Sequence, residues 1–331
     1  MTNTERFRRF FSGDTSIDRT PAVEWASWWD VTVNNWYTQG LDKEIDIQNG
    51  INEYWGQDRL MQFWLPVRDT GFHGLTAGTP VCDEAYYQKV KKFMYTDALL
   101  EKIYQDIKTF RDQNQDKGYA CWYTLEGFFW FPRTLFGIEE HLYAFYDFPG
   151  LLKEMNSDLT AYHKKVLQVV FSLIKPQFMS FAEDMSYNHG PMLSKAQYDE
   201  FMLPYYNELI PEIKKQGTKV FIDTDGFVEP LIPWFLEGGI EGILPLERMA
   251  GVDVNRIRGN FPELYMIGGF DKTVMHKGEQ AMREEFERIL PAIQSGRYIP
   301  SVDHQTPPDV DMKTYRIYMK LLLEYSIMPK K

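Results

Sequence analysis

A short apolar run that ends in acids and a glycine stands at Lys219-Val-Phe-Ile-Asp-Thr-Asp-Gly226. Such a run is typical of a buried strand in a parallel sheet, with a polar turn at its carboxyl end. The segments on either side of it, residues 195–216 and 227–237, have the longer amphipathic pattern of helices. This alternation predicts a parallel α/β protein.

The same alternation extends from this stretch in both directions along the chain. Further strands are predicted at residues 22–25, 119–123, 178–182, 240–244, 264–267 and 298–302, and a further helix at residues 278–295. Several of these strands run into acids or histidine, as happens where the carboxyl ends of barrel strands form an active site. A doubly wound sheet would carry a glycine fingerprint after its first strand, and the sequence has none. We therefore predict a single (β/α)8 TIM barrel over residues 1–331, with an N-terminal extension and the second strand within residues 36–81.

The composition is that of a globular protein with a large aromatic content. Aromatic residues make up 16% of the 331 residues, and the formal net charge is −11. The negative charge argues against nucleic acid and anionic membranes as partners, and no stretch reaches the roughly 20 apolar residues of a membrane span. Residues 1–11 are polar, unlike a signal peptide, and Cys82 and Cys121 alone cannot form a disulfide framework. We expect a cytoplasmic protein.

Several sequence blocks point to a known family. They occur in the order Phe181-Ala-Glu-Asp-Met185, Gly190-Pro-Met-Leu-Ser194, Phe221-Ile-Asp-Thr-Asp-Gly226, Ile267-Gly-Gly-Phe-Asp-Lys272 and Asp303-His304, after an N-terminal set of Pro21, Glu24, Trp28, Trp36 and Gly40-Leu41. Together these blocks resemble the uroporphyrinogen decarboxylase-like superfamily, and the resemblance covers nearly the whole chain. It implies the same barrel fold.

The residues at the predicted rim separate three branches of that superfamily. The decarboxylase branch holds a carboxylate-rich porphyrinogen with an arginine-rich motif, and residues 21–30 contain no arginine. The thiol methyltransferases bind zinc through His-x-Cys and a distant Cys, where this chain has Asp223-Thr-Asp225 and then Asp303-His304. The resemblance therefore implies the third branch, corrinoid-dependent methyltransferases that demethylate substrates such as aryl methyl ethers.

That branch implies a partner and a chemistry. A cobalt corrinoid (cobalamin), supplied by a separate corrinoid protein, takes the methyl group from a small-molecule methyl donor, and we predict a methoxylated aromatic as this donor. The leaving oxygen needs a proton donor or a Lewis acid, because a phenol has a pKa of about 10. Two alternatives stay open. One is methyl transfer from methylcobalamin to a thiol or another acceptor, and the other is a non-catalytic barrel that binds a corrinoid or porphyrin.

The candidate site residues follow from the predicted strand ends. The candidate catalytic residues are Glu183 and Asp184 after one strand, Asp223 after the next, and His304 after the last. A zinc ion held by Glu183, Asp223, Asp225 and His304 is kept as an alternative. Aromatic and polar residues near the same edge are predicted to bind the substrate: Trp25, Trp28, Glu126, Phe128, Trp130, Tyr187, His189, Asp225, Glu247 and Asp271.

Overall fold

A computed structural model describes residues 1–26, 28–45, 50–69 and 83–329 of the chain. Cys82 and parts of the segment 36–81 lie outside the described residues. Strands occur at β1 (Leu60–Leu65), β2 (Ala120–Glu126), β3 (Phe178–Ala182), β4 (Ser186–Tyr187), β5 (Gly190–Pro191), β6 (Lys219–Asp223), β7 (Gly242–Leu244), β8 (Tyr265–Phe270) and β9 (Tyr298–Val302).

All strands except β4 and β5 form one curled sheet in the order β1-β2-β3-β6-β7-β8-β9. Every neighbouring pair in this sheet is parallel, whereas β4 and β5 form a small antiparallel hairpin. The parallel α/β prediction is confirmed. The predicted strands at residues 178–182 and 298–302 coincide with β3 and β9, and β1 is the strand expected within residues 36–81.

The predicted strand at residues 22–25 is not part of the sheet. This segment lies between β9 and the start of β1. The Trp25 indole N–H donates to the Val302 carbonyl at 2.9 Å, and the Ala22 N–H donates to the Asp58 carboxylate at 2.8 Å. One backbone bond, from the Asp58 N–H to the Ala22 carbonyl at 2.8 Å, also holds the segment, but within the described residues the segment forms no strand ladder. The sheet of the described residues therefore has seven strands, one fewer than a closed (β/α)8 barrel.

Helices connect the strands. Residues 195–216 form two helices and not the single one predicted, because Met202 leaves the helical backbone at φ −120° and Pro204 has no N–H to donate. No helix in the described ranges combines the length and apolarity needed to cross a bilayer. The helices are α1 (Asn3–Phe11), α2 (Asp30–Thr38), α3 (Ile51–Tyr54), α4 (Glu84–Lys91), α5 (Asp97–Asn114), α6 (Trp130–Phe136), α7 (Ile138–Asp147), α8 (Pro149–Leu173), α9 (Lys195–Phe201), α10 (Leu203–Lys215), α11 (Ile232–Glu237), α12 (Val254–Asn260), α13 (Glu279–Gln294) and α14 (Met312–Tyr325).

The inside of the curled sheet is filled by aromatic side chains. Because successive strand residues point to opposite faces, Trp122, Phe178 and Phe221 face inward, where they form one buried cluster with residues of α1. The Phe11 ring of α1 packs on the Phe178 ring, and the Tyr265 hydroxyl donates to the Phe11 carbonyl at 2.9 Å. The helix α1 thus covers the amino ends of the strands, and polar strand ends are left at the carboxyl edge.

Candidate active site

The carboxyl ends of β3, β6 and β9 meet at one small cavity. Its volume is about 150 Å³, roughly that of an engineered cavity known to hold one benzene ring. The cavity lining contains all of the predicted catalytic residues and three indole rings. The lining residues are Trp25, Trp64, Trp130, Ala182, Glu183, Asp184, Asp223, Asp225 and His304.

Two neighbouring acids at the end of β6 have strongly altered proton affinity. Burial raises the pKa of Asp223 well above its usual value, and the negative charges of Asp225 and Asp184 raise it further. Burial, together with the charges of Asp184 and Glu247, raises the pKa of Asp225 to about 7. Like charges that share a site favour a retained proton. This wall of the cavity can therefore present a neutral carboxyl group near neutral pH.

Asp184 faces the same wall from the end of β3. Its backbone lies in the left-handed region, with φ at 49°, which is uncommon for a residue other than glycine. The Arg133 guanidinium donates to the Asp184 carbonyl at 2.8 Å and to its Oδ2 at 3.3 Å. The Asp184 N–H also donates to the Asp223 carbonyl at 3.3 Å. These contacts hold a strained backbone in place beside the cavity.

Glu183 is fully engaged in hydrogen bonds within the protein. Its Oε1 accepts from the Phe128 N–H at 2.8 Å and from the Tyr206 hydroxyl, and its Oε2 accepts from the N–H groups of Phe129 at 2.7 Å and Trp130 at 3.2 Å. Burial raises the pKa of Glu183 to about 7, although the hydrogen bonds from these donors act to lower it. A carboxylate has about four lone-pair sites, so Glu183 has none left for a substrate or a metal. This geometry corrects its predicted role as a catalytic acid and ligand.

A set of potential metal ligands shares Asp225 with this acid wall. One ligand atom each from Asp225, Glu247 and His304 falls within 4.8 Å of the others. His304 Nε2 is 3.8 Å from Asp225 Oδ2, and burial and the Lys272 charge lower the pKa of His304, which keeps the imidazole neutral. Two carboxylates and an imidazole suit zinc or a harder divalent ion. The set differs from the predicted one, since Glu247 takes the place of Glu183 and Asp223.

Three indole rings form the apolar part of the cavity lining. Trp25 is fixed by its hydrogen bond to Val302 and meets the His304 ring edge-on at 6.1 Å. Trp130 begins α6, and its ring lies 5.1 Å from the Arg133 guanidinium carbon. Trp64, near the end of β1, is 50% exposed. Indoles on several sides of a ring-sized cavity are suited to a flat aromatic ligand.

Some predicted substrate-binding residues are absent from this lining. Phe128 is fully buried, and its ring packs against those of Phe181 and Tyr206, so it belongs to the core. Tyr187 and His189 are exposed on the β4–β5 hairpin and contact each other. The structure therefore places these three predicted positions outside the cavity lining.

The remaining predicted positions have structural partners. Glu126 forms an ion pair with Arg68 at 2.9 Å. Asp271 accepts from the Thr273 N–H at 2.9 Å and caps the turn that follows β8. Trp28 is buried against Trp36 and Tyr315 in the outer core. The geometry thus places Glu126, Asp271 and Trp28 outside the cavity lining.

Sequence reasoning missed three residues near the cavity. Trp64 could have been proposed only once β1 was placed, because its inward direction depends on the strand register. Arg133 lies three residues after Trp130, which places both on the same side of a helix. Lys272 ends the Ile267–Lys272 block and acts on the pKa values of Asp225 and His304 by its charge. Arg133 and Lys272 could therefore have been proposed from the sequence alone.

The matched family model is that of uroporphyrinogen decarboxylase, and it covers residues 147–325, just over half of the 331 residues. The chain belongs to this family. The matched range begins in α7 and includes β3, β6 and β9, whose carboxyl ends carry most of the cavity acids. The predicted family membership is confirmed.

Curated relatives in the family are distant. The uroporphyrinogen decarboxylase of Pseudomonas syringae pv. syringae (strain B728a) is 25% identical over 177 residues, and that of Pseudomonas syringae pv. tomato (strain ATCC BAA-871 / DC3000) is 27% identical over 175 residues. Each match covers 49% of this chain and 47% of the relative. The chain thus spans about half the length of these relatives.

A solved structure matches over almost the full length. It is a methyltransferase from Methanosarcina mazei, with a TM-score of 0.71 at 11% identity over 98% of this chain and 99% of that one. At this identity the likeness concerns the fold alone.

Proposed function

We propose that the chain is a methyltransferase that takes a methyl group from a methoxylated aromatic and passes it to the cobalt of a corrinoid on a partner protein. The observation that carries the proposal is the cavity itself, where three indoles and the acid wall of Asp184, Asp223 and Asp225 face one ring-sized volume. Apolar walls suit the ring of the substrate, and a neutral carboxyl suits its ether oxygen.

In this proposal each side chain has a defined task. Trp25, Trp64 and Trp130 hold the aromatic ring, and Asp223 donates a hydrogen bond to the ether oxygen. A corrinoid on the partner protein would supply a nucleophilic cobalt(I) as the acceptor of the methyl group. As the carbon–oxygen bond breaks, Asp223 passes its proton to the phenolate oxygen, whose conjugate acid has a pKa of about 10. Burial, helped by the negative charges of Asp225 and Asp184, keeps that proton on Asp223 beforehand.

The charge of the cavity favours a neutral substrate over a carboxylate-rich one. Burial and then the charges of Asp225 and Asp184 raise the pKa of Asp223, and burial and then the charges of Asp184 and Glu247 raise the pKa of Asp225. A substrate with many carboxylates would meet this acid wall, where the Arg133 guanidinium is already paired with Asp184. This argues against decarboxylation of a porphyrinogen, the activity named for the curated relatives.

The direct test mixes the purified chain with guaiacol and a reduced corrinoid protein. We expect methylation of the corrinoid, followed by visible absorbance, with catechol released in equal amount. Phenol, which has no methoxy group, serves as the matched control and should give no signal. The proposal fails if no methyl ether, amine or thioether transfers a methyl group. Decarboxylation of uroporphyrinogen by the same chain would support the decarboxylase hypothesis.

Zinc is a second part of the proposal. Asp225, Glu247 and His304 would hold the ion, which would supply a Lewis acid for the leaving oxygen. The single cysteine among the described residues, Cys121, is buried on β2 and does not line the cavity, so the donor set differs from a thiolate site.

Metal analysis after incubation with zinc and gel filtration tests this set of ligands. We expect about one retained zinc per chain and loss of most of it in Glu247→Gln and His304→Ala, because each removes one of three ligands. Glu263→Gln, a change of an 80% exposed carboxylate, is the control and should retain zinc. If the unaltered chain retains no zinc, the zinc part of the proposal fails, and the Asp223 carboxyl group alone would assist the departure of the leaving oxygen.

A further inference from the structure

The turn at residues 127–130, which connects β2 to α6, is held from several sides. Besides the hydrogen bonds to Glu183, the Asn156 amide donates to the Phe128 carbonyl at 3.1 Å. His163 Nε2 lies 2.9 Å from the Glu126 carbonyl oxygen just before the turn. At Gly127, a Cβ atom would lie 2.0 Å from the Glu183 carboxyl carbon, so only glycine allows this approach. The turn is therefore built around the Glu183 carboxylate.

We infer that Glu183 is a positioning residue of the candidate active site, whose carboxylate sets where the Trp130 indole and the Arg133 guanidinium lie. The inference deepens the proposed function, because it concerns the same cavity. Glu183 receives the N–H groups of three consecutive residues, the last of which is Trp130 itself. Its direct contact is with the backbone that carries the cavity wall.

The effect of Glu183 continues beyond Trp130. Arg133 lies one turn further along α6 and holds Asp184 by its carbonyl and its carboxylate. The N–H groups of Glu183 and Asp184 both donate to the Asp223 carbonyl, at 2.9 Å and 3.3 Å. The ends of β3 and β6 and the start of α6 thus meet through Glu183 and its neighbour. We therefore expect a change in the Glu183 carboxylate to move the Trp130 indole relative to Asp184 and Asp223.

Tyr206 of α10 supports Glu183 from a separate element of the fold, and its ring also packs against that of Phe128. Its buried hydroxyl donates to Glu183 Oε1. The neighbouring Tyr205 makes an equivalent bond elsewhere, since its hydroxyl donates to the Lys153 carbonyl at 3.0 Å. The pair supplies matched variants, because Tyr206→Phe removes a donor to Glu183 and Tyr205→Phe removes the same group without touching it.

A double-mutant cycle on ligand affinity tests the inference. Guaiacol binding to Glu183→Gln should be about tenfold weaker than to the unaltered chain, because the new amide group opposes backbone N–H donors and moves Trp130. In a Trp130→Phe background, the same substitution should change affinity by less than about twofold. Tyr206→Phe should act in the same direction with a smaller effect, and Tyr205→Phe should leave affinity unchanged.

Two outcomes would overturn the inference. If Glu183 donates a proton in the reaction, Glu183→Gln would abolish methyl transfer and leave guaiacol affinity unchanged. If Glu183 supports folding alone, the effects of Glu183→Gln and Trp130→Phe would be additive.

A second measurement needs no ligand and separates this inference from the proposed function. Acrylamide quenching of Trp130, obtained as the difference between chains with and without Trp130→Phe, should increase in Glu183→Gln and in Tyr206→Phe. Unchanged quenching in both variants would refute the positioning role. Increased quenching in a chain that binds no guaiacol would refute the proposed substrate and keep the positioning role.

Discussion

Asp223→Asn is expected to slow methyl transfer from guaiacol by about 100- to 10,000-fold, the range attributed to a positioned general acid. Asn retains the shape of the side chain and cannot pass a proton to the leaving oxygen. Guaiacol affinity should change by less than about threefold, because the indoles that hold the ring are untouched. Single-turnover kinetics, with corrinoid methylation as the signal, measure the chemical step apart from binding.

The leaving group offers a sharper form of this test. With 4-nitroanisole, the departing phenol is more acidic and needs less help from an acid. The loss caused by Asp223→Asn should therefore be smaller for 4-nitroanisole than for guaiacol. Glu241→Gln, which removes a carboxylate paired with Lys219 just before β7, is the control for charge and should react at the unaltered rate. Equal losses with both substrates would exclude Asp223 as the proton donor.

The sequence predicted the acids of the site because two regular patterns coincide there. Short apolar runs identified β3, β6 and β9, and Glu183, Asp184, Asp223 and His304 lie at or within two residues of their ends. Parallel strands place their carboxyl ends at one edge, so acids that are distant in sequence come together. The cavity lining contains all four of these residues.

The role of Glu183 could not be predicted in the same way. Its partners are the N–H groups of residues 128–130 and the hydroxyl of Tyr206, which lie 53 to 55 residues before it and 23 after it. No local sequence pattern indicates which of the adjacent acids Glu183 and Asp184 binds the backbone of the neighbouring turn. That choice follows from the packing of β2 against β3.

The aromatic run at residues 128–131 illustrates a second limit. The sequence predicted that Phe128 and Trp130 both face the ligand, and the structure places only Trp130 in the cavity lining. Phe128 is instead fully buried, and its ring packs against those of Phe181 and Tyr206. The segment at residues 22–25 shows the same limit, since it is bound through its own Trp25 indole and through the Asp58 carboxylate and pairs with no strand of the described sheet.

Glu24, a buried carboxyl in that segment, is expected to make stability fall as the pH rises. Its side chain is 8% exposed, and it accepts from the Ser301 hydroxyl at 3.0 Å and the Tyr318 hydroxyl at 2.9 Å. Burial raises its pKa to about 7 from a usual value of 4.5, so the folded chain binds the proton more tightly than the unfolded chain. Its stabilising effect is therefore complete below pH 4.5 and is lost as the pH rises towards 7.

The variant Glu24→Gln removes this dependence, and comparison with the unaltered chain isolates it. Between pH 5 and pH 8, the unaltered chain should lose about 2.5 kcal/mol of unfolding free energy relative to Glu24→Gln. The comparison uses only the change with pH, so a constant cost of the amide in this position cancels. Urea unfolding at the two pH values measures it, with Glu263→Gln, an exposed carboxylate, as the control. A constant difference between the unaltered chain and Glu24→Gln at both pH values would mean that Glu24 titrates as it does in the unfolded chain, and that the carboxyl is already ionised within the fold.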